Sequence, residues 1–283
     1  MELWYIFLCF IAIIFLMYVL MKIRYNVHHN RVLENNILPE NIALKNKLIP
    51  RKIFQLVADK NNISDLFKKN IKYIKDLHPG WTYTLYDDKD MIEYMKKHYH
   101  PKILHTYNMI NQKYGAARAD FFRYLLMYRE GGVYLDIKSG MLVSLDAIIK
   151  PDDEFILCHW VLEENRDILR NGLGEFQQWH IICKTKHPYL EAVIRKVIKN
   201  ISEYDVVLNG VGKPGVLRVT GPIAYTEAIM PIISIHKHRL LETNEDIGLV
   251  YINTRRSHIS LFKNKHYSKV REAIVLNNYV DKR

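Results

Sequence analysis

The sequence predicts an α/β domain carried behind a single membrane-spanning segment. Three observations predict it: an unbroken apolar run at residues 3–21, a helix, Gly-Gly turn and strand in succession at residues 116–138, and about 230 residues from position 49 onward, which suit one α/β unit.

The first element is the apolar run Leu3 to Met21, LWYIFLCFIAIIFLMYVLM, which contains no charged residue. Its length matches the roughly 20 residues needed to cross a bilayer core. It is too long for a secretory signal peptide and lacks the small-residue cleavage site of one. Lys22, Arg24, His28, His29 and Arg31 follow, then ENNILPENIALKNK with no period, so residues 22–48 read as a stem. The expected organisation is therefore an anchor at 1–21, a stem at 22–48 and one domain at 49–283.

Within the domain, WTYTLY (Trp81–Tyr86) has the composition of a strand, and Asp87 and Asp88 are placed to cap a helix beginning near Asp90. Ala117, Phe121, Tyr124, Leu125 and Tyr128 then recur at the spacing of one buried helical stripe. Asp120 and Arg123 lie three apart and point to one side, while Arg118 can pair with Asp120 or reach a neighbouring element. Gly131 and Gly132 end the helix without steric penalty. Val133, Tyr134 and Leu135 form a strand that delivers Asp136 to its carboxyl end, where ligands of α/β sheets bind. Farther on, the glycines and prolines of NGVGKPGVLRVTGP (Asn209–Pro222) predict a long loop able to close over a ligand.

The block AARADFFRYLLMYREGGVYLDIK resembles the core motif of the DXD-containing sugar transferases of glycosyltransferase family 32, which includes fungal outer-chain and inositolphosphoceramide mannosyltransferases. Clostridial toxin glucosyltransferases carry a similar block. IPRKIFQ (Ile49–Gln55), HPGWTYTLYDD (His78–Asp88), HPYLEAVIRKV from His187 and VTGP from Val219 match in the same order.

The resemblance implies a GT-A-type, Rossmann-like mixed sheet flanked by helices. It also implies transfer of a hexose, mannose favoured, from a nucleotide sugar to a glycan or lipid hydroxyl with retention of configuration. The expected partners are GDP-mannose or a UDP-hexose, a glycan or glycolipid acceptor, and the membrane. Carried across by position, Asp120 and Arg123 contact the donor's sugar and phosphate, and Asp136 is the first Asp of the DXD. These three are the catalytic candidates. Gln55, Trp81, Arg118, Tyr134 and Lys138 are the donor-binding candidates; for Trp81 a place in the core is the favoured reading. Asp136, with His258 or His266 from the C-terminal region, forms the candidate metal set, and Arg255 and Arg256 make a basic patch beside His258.

This chain departs from the motif at one position, where Lys138 replaces the second Asp. A nucleoside diphosphate leaves readily only when its developing charge is neutralised, commonly by Mn²⁺ or Mg²⁺ held by hard oxygen ligands. Three arrangements follow. In one, Lys138 turns out to solvent and Asp136 holds the metal with a distant residue and waters. In another, Lys138 is itself the cation for the diphosphate. In the third, the site binds a donor without turning it over, and the chain is a non-catalytic sugar-binding or partner-binding membrane protein. Retention is open to a double displacement or a front-side process, and no carboxylate stands out as a nucleophile.

Membrane orientation meets opposed signals. The resemblance implies a Golgi or ER lumenal domain, and two sequons, Asn62-Ile63-Ser64 and Asn200-Ile201-Ser202, are compatible with it. The positive residues after the span point to a cytosolic domain. The lumen is the favoured side.

The net charge of +11 suits anionic donors and anionic headgroups. No RNP, helix-turn-helix or zinc-finger pattern accompanies it, so nucleic acid is not an expected partner. GxGxxG after a strand, Walker, HExxH, CxxC and EF-hand patterns are absent. Of three cysteines, Cys9 falls in the span, and Cys158 and Cys183 read as buried thiols rather than a disulfide framework.

Overall fold

A computed structural model describes residues 17, 37–39, 48–160, 174–242, 244–251 and 267–276. The chain divides into two compact units, Met1–Glu40 and Asn41–Arg283, and every element below belongs to the second. The expected anchor and stem lie almost wholly outside the described residues. Among the described residues, no helix is long and apolar enough to cross a membrane.

The elements run β1 (Lys52–Leu56), α1 (Asp65–Leu77), β2 (Thr82–Tyr86), α2 (Asp88–His98), α3 (Pro101–Met109), α4 (Gly115–Glu130), β3 (Gly132–Leu135), β4 (Gly140–Met141), α5 (Leu145–Ile148), β5 (Phe155–Cys158) and β6 (His180–Cys183). They continue with α6 (Pro188–Ser202), α7 (Val206–Asn209), α8 (Gly212–Val219), α9 (Pro222–Ile229), β7 (Arg239–Leu241) and β8 (Leu249–Val250). A six-stranded sheet has the order β2-β1-β3-β6-β5-β7, and β4 pairs with β8 in a separate two-stranded sheet. β1 runs parallel to β2 and β3, β6 runs antiparallel to β3 and β5, and β5 is parallel to β7. The mixed α/β sheet flanked by helices agrees with the fold class expected from the sequence.

The parallel trio sets the functional edge. β1, β2 and β3 point the same way, so Leu56, Tyr86 and Leu135 end on one side of the sheet, and Asp136 emerges there. β3 and β6 are buried along their whole length, as are Ile53 to Leu56 of β1. The strand core, including Ile53, Val133, Leu135, Ile156 and Ile182, continues into Met141, Leu145 and Leu249 of the adjoining elements.

Local chemistry explains the elements on which the site stands. Asp87 caps α2 by accepting hydrogen bonds from the Lys89 and Asp90 amides, while the Asp90 carboxylate accepts from the Asp87 amide, a reciprocal capping box. At the end of α4, Gly131 and Gly132 have φ of 61° and 93°, a region that side chains disfavour. A Cβ at Gly131 would meet the Thr185 amide nitrogen at 2.7 Å, and one at Gly132 the Lys52 carbonyl at 2.6 Å. The reversal from helix to strand therefore requires glycine at both positions.

Two expectations are corrected. α4 is not a helix with one buried stripe: Ala117, Arg118 and Asp120 to Tyr128 are all buried. The helix is enclosed by β3, α3, α6 and α8, so its charged residues face protein instead of solvent. The expected loop at Asn209–Pro222 is mostly helical, with α8 inside it and α9 opening at Pro222. Its glycines serve close packing. A Cβ at Gly215 would lie 2.5 Å from both the Gly210 carbonyl oxygen and Ile274 Cδ1. Pro222 occupies the first turn of α9, where the missing amide costs nothing. The thiols of Cys158 and Cys183 are free and buried, as read from the sequence.

Candidate active site

Asp136 is the first residue beyond β3, and its backbone is held on two sides. Its amide donates to the Trp179 carbonyl at 2.8 Å, and its carbonyl accepts from the Ser139 amide at 2.9 Å, closing a tight turn over residues 136–139. The same carbonyl accepts from Gln55 Nε2 at 3.2 Å, and Tyr83 holds Gln55 by donating to its Oε1 at 2.8 Å. Beyond the turn, Asn70 of α1 donates to the Ser139 carbonyl at 2.8 Å.

The carboxylate of Asp136 is held by three side chains. Tyr134, two residues back on the same face of β3, donates its hydroxyl to Oδ1 at 2.9 Å. Arg123 Nη1 lies 3.2 Å from Oδ1, and Lys138 Nζ lies 3.8 Å from Oδ2. The Arg123 guanidinium also stacks over the Tyr134 ring at 4.6 Å. Pairing of β4 with β8 brings Tyr251 back over the turn. Its carbonyl accepts from Ser139 Oγ at 2.8 Å, its hydroxyl accepts from Lys138 Nζ at 2.9 Å, and its ring lies 4.4 Å from that ammonium.

Arg123 and Asp120 form the floor beneath this carboxylate. Arg123 Nη2 is 3.1 Å from Asp120 Oδ1, and both side chains are about nineteen-twentieths buried, with exposures of 6% and 5%. Gln178 Nε2 donates to Asp120 Oδ1 at 3.1 Å and Thr220 Oγ1 to Oδ2 at 3.0 Å. Arg123 Nη1 donates to the Gln178 side-chain oxygen at 2.7 Å and to its carbonyl at 3.0 Å. Burial raises the Asp120 carboxyl to about 6, against the opposing pull of Arg123, Gln178 and Thr220. Burial also depresses His180, on β6 opposite Leu135, to about 3, while Asp136 pulls it the other way.

The structure thus brings together Asp120, Arg123, Tyr134, Asp136, Lys138 and Gln55, all named from the sequence. Asp120 and Arg123 lie beneath Asp136 with their polar atoms engaged and covered. Asp136 and Lys138 are the more open members, at 20% and 16% exposure.

Two other candidates lie elsewhere. The Arg118 guanidinium covers the Tyr107 ring at 4.1 Å and donates to the Ile110 carbonyl at 3.4 Å, bracing α4 against the end of α3. Trp81 precedes β2, at the opposite end of the parallel strands from Asp136, roughly 16 Å away along five residues of strand. Its indole donates to Asp146 at 3.1 Å, and its ring packs against the core beside His78. His258, His266, Arg255 and Arg256 lie outside the described residues.

Sequence reasoning missed Gln178, Thr220 and Tyr251. Thr220 stood inside the VTGP match, a signal of place without a role. The other two carried none.

A divalent cation at Asp136 would need several hard oxygen ligands. Among the described residues, no cluster of three or more His, Cys, Asp or Glu is placed to hold one. Asp136 Oδ1 already serves Tyr134 and Arg123, and an ammonium faces Oδ2. On their own, these described residues do not make a metal site. Nor does Lys138 turn out to solvent, as the first of the three arrangements required.

Residues 64–155 match the family described as glycosyltransferase sugar-binding region containing DXD motif. The match includes Asp120, Arg123, Asp136 and Lys138. Mannosyl phosphorylinositol ceramide synthase SUR1 of Saccharomyces cerevisiae is 34% identical over 118 residues, which cover 42% of this chain and 30% of the relative. Inositol phosphoceramide mannosyltransferase 1 of Schizosaccharomyces pombe is 28% identical over 156 residues, covering 53% of this chain and 43% of the relative. The chain spans less than half the length of these two curated relatives. Among solved structures, the PaToxG glycosyltransferase superposes with a TM-score of 0.50 at 17% identity, covering 72% of this chain and 76% of that one, and so shows a shared fold. The resemblance read from residues 116–138 therefore stands: the block lies within the residues that match that sugar-binding region. The motif in that family's description points to divalent-metal dependence in general.

Proposed function

We propose that this chain is a membrane-anchored glycosyltransferase that moves a hexose, mannose favoured, from a nucleotide sugar to a glycan or lipid hydroxyl with retention of configuration. The observation that carries this is the placement of Asp136. It stands at the carboxyl edge of the parallel strands, where α/β sheets bind ligands, on a turn held by Gln55, Trp179 and Asn70. Mannose is favoured because the names of the two yeast relatives given above are those of inositolphosphoceramide-mannosylating enzymes. GDP-mannose and the UDP-hexoses are the donors to compare.

In such a transfer the bond from the anomeric carbon to the diphosphate breaks, and its electron pair leaves with the diphosphate. The acceptor oxygen bonds to that carbon and gives up its proton. Asp120 is buried with both oxygens engaged, which disfavours it as a nucleophile. We favour a front-side process in which the departing diphosphate takes the acceptor proton. The contribution of the chain is then to position the donor and to set fixed charges where negative charge develops.

Incubation of the purified full-length chain with GDP-mannose and a panel of UDP-hexoses, with lipid and glycan acceptors, tests the proposal. Release of a nucleoside diphosphate with formation of a glycosylated acceptor is expected. A second reading is favoured by Lys138 at the position of the second carboxylate: a non-catalytic sugar- or partner-binding descendant. It predicts donor binding with no release under any condition.

A further inference from the structure

We propose that the Lys138 ammonium takes the place of the divalent cation in holding the donor's diphosphate, so that this site binds its nucleotide without metal. The inference rests on the nucleotide-sugar reading above and specifies how that site recognises its ligand.

The first argument is charge. Two carboxylates of a DXD with one divalent cation are together neutral. Asp136 with Lys138 is also neutral, because exchanging Asp for Lys at one position supplies the two units of charge that the ion would have brought. The net charge of this pair of positions is thus the same with no ion present. A lysine binds phosphate as a compact point charge with three donors that rotate to suit the oxygens.

The second argument is placement. Lys138 is the third residue of a turn whose backbone is bonded at both ends, through the Ser139 amide to the Asp136 carbonyl and through the Ser139 carbonyl to Asn70. Its Nζ sits 3.8 Å from Asp136 Oδ2, 2.9 Å from the Tyr251 hydroxyl and 4.4 Å from that ring's centre. The ammonium is therefore held beside the carboxylate, on the turn that presents Asp136. Tyr251 and Asp136 both attract the ammonium, by cation–π and Coulomb interaction. A divalent ion bound to Asp136 would be repelled by this cation across a few ångströms.

The third argument is the state of Asp136 itself. Tyr134 and Arg123 engage Oδ1, and Lys138 faces Oδ2. The carboxylate acts as the anchor that orients two cations, a role that leaves it little capacity as a metal ligand.

The test is calorimetric titration of the full-length chain in detergent with GDP and with UDP, in EDTA and in Mn²⁺. The expected result is that one of the two diphosphates binds in EDTA as tightly as in Mn²⁺, within about twofold. Lys138→Ala is expected to weaken it by about tenfold or more, roughly the scale of one charged contact. Lys138→Asp is expected to lose binding in EDTA and recover it with Mn²⁺, and to bind Mn²⁺ itself. Tyr251→Phe provides a milder perturbation should a lysine variant fail to fold; it removes the hydroxyl that places Nζ and is expected to weaken binding several-fold. Binding by the wild type that is abolished in EDTA and restored by Mn²⁺ overturns the inference while leaving the transferase reading intact. So does a Lys138→Ala variant that binds as the wild type does. Failure to bind either nucleotide under any condition overturns both.

Discussion

At the scale of single residues, the Arg123 guanidinium bridges two carboxylates, that of Asp120 almost fully buried and that of Asp136 partly open. Removing it leaves Asp120 and Asp136 facing each other with no cation between them on the floor of the site. Arg123→Met is expected to cost about 3–5 kcal/mol in chemical denaturation, the range for orphaning a buried charge. Thr220→Val removes one donor from Asp120 and is expected to cost about 1–3 kcal/mol. Equal, negligible losses for both variants would contradict the buried network. Asp136 was legible in the sequence because a carboxylate after a strand has few other places to go, and Asp120 and Arg123 because residues three apart on a helix share a side. Gln178, Thr220 and Tyr251 were not legible as members of the site. They reach it only through strand pairing and helix packing, across 55 to 113 residues of chain, and nothing local in the chain records that. Arg118 and Trp81 had the right chemistry, but the backbone carries their side chains to other neighbours.

At the scale of elements, the turn between α4 and β3 is the joint that aims Asp136. Gly132 sits at φ 93° with its open side against the Lys52 carbonyl, so Gly132→Ala combines backbone strain with a clash against a central strand. Strain of that kind alone costs on the order of 1–3 kcal/mol. A fall in melting temperature of several degrees is expected, together with a loss of transfer activity larger than the stability change explains, because the strand carries Asp136 out of register. Melting equal to the wild type would refute it. The glycine pair was readable because two adjacent glycines after a helical stripe have a short list of uses. The burial of α4 on all sides was not. Its alternating charged and aromatic residues look amphipathic until Asp120, Arg118 and Arg123 each find a partner inside the protein. The segment at Asn209–Pro222 misled for a related reason: glycine signals flexibility and close approach with the same letter, and here helix packing uses the second property.

At the scale of the whole molecule, two sequons and a set of buried histidines make separable predictions. Asn62 is exposed, whereas the Asn200 side-chain amide donates to the Arg218 and Val219 carbonyls at 3.0 and 3.1 Å. A glycan on Asn200 would take one of those donors, so a lumenal domain is expected to carry its glycan at Asn62. Asn62→Gln should then abolish a glycosidase-sensitive mobility shift. A shift that persists in Asn62→Gln and vanishes in Asn200→Gln would contradict that arrangement.

Acid stability follows from His180, His187 and Asp120. Burial depresses His180 to about 3 and His187 to about 4, from an ordinary value near 6.5. Below pH 6.5 the unfolded chain binds protons at both histidines while the folded chain does not, so each destabilises the fold as pH falls. Asp120 works in the opposite sense. Its folded carboxyl, raised to about 6, keeps a proton that the unfolded chain releases above its ordinary value near 4, so acidification relieves a penalty between about pH 6 and 4. At about 1.4 kcal/mol per pH unit, each histidine removes roughly 2–3 kcal/mol between pH 6.5 and 4.5, and Asp120 cancels about one of them. A net loss of about 2–3 kcal/mol over that interval is expected from these three groups, read as a falling denaturation midpoint. His180→Asn is expected to flatten the decline, because asparagine does not titrate and its amide can still reach Gln177, which now bonds His180 Nε2 at 3.2 Å. A wild-type midpoint that holds steady or rises on acidification would contradict neutral, buried histidines at 180 and 187.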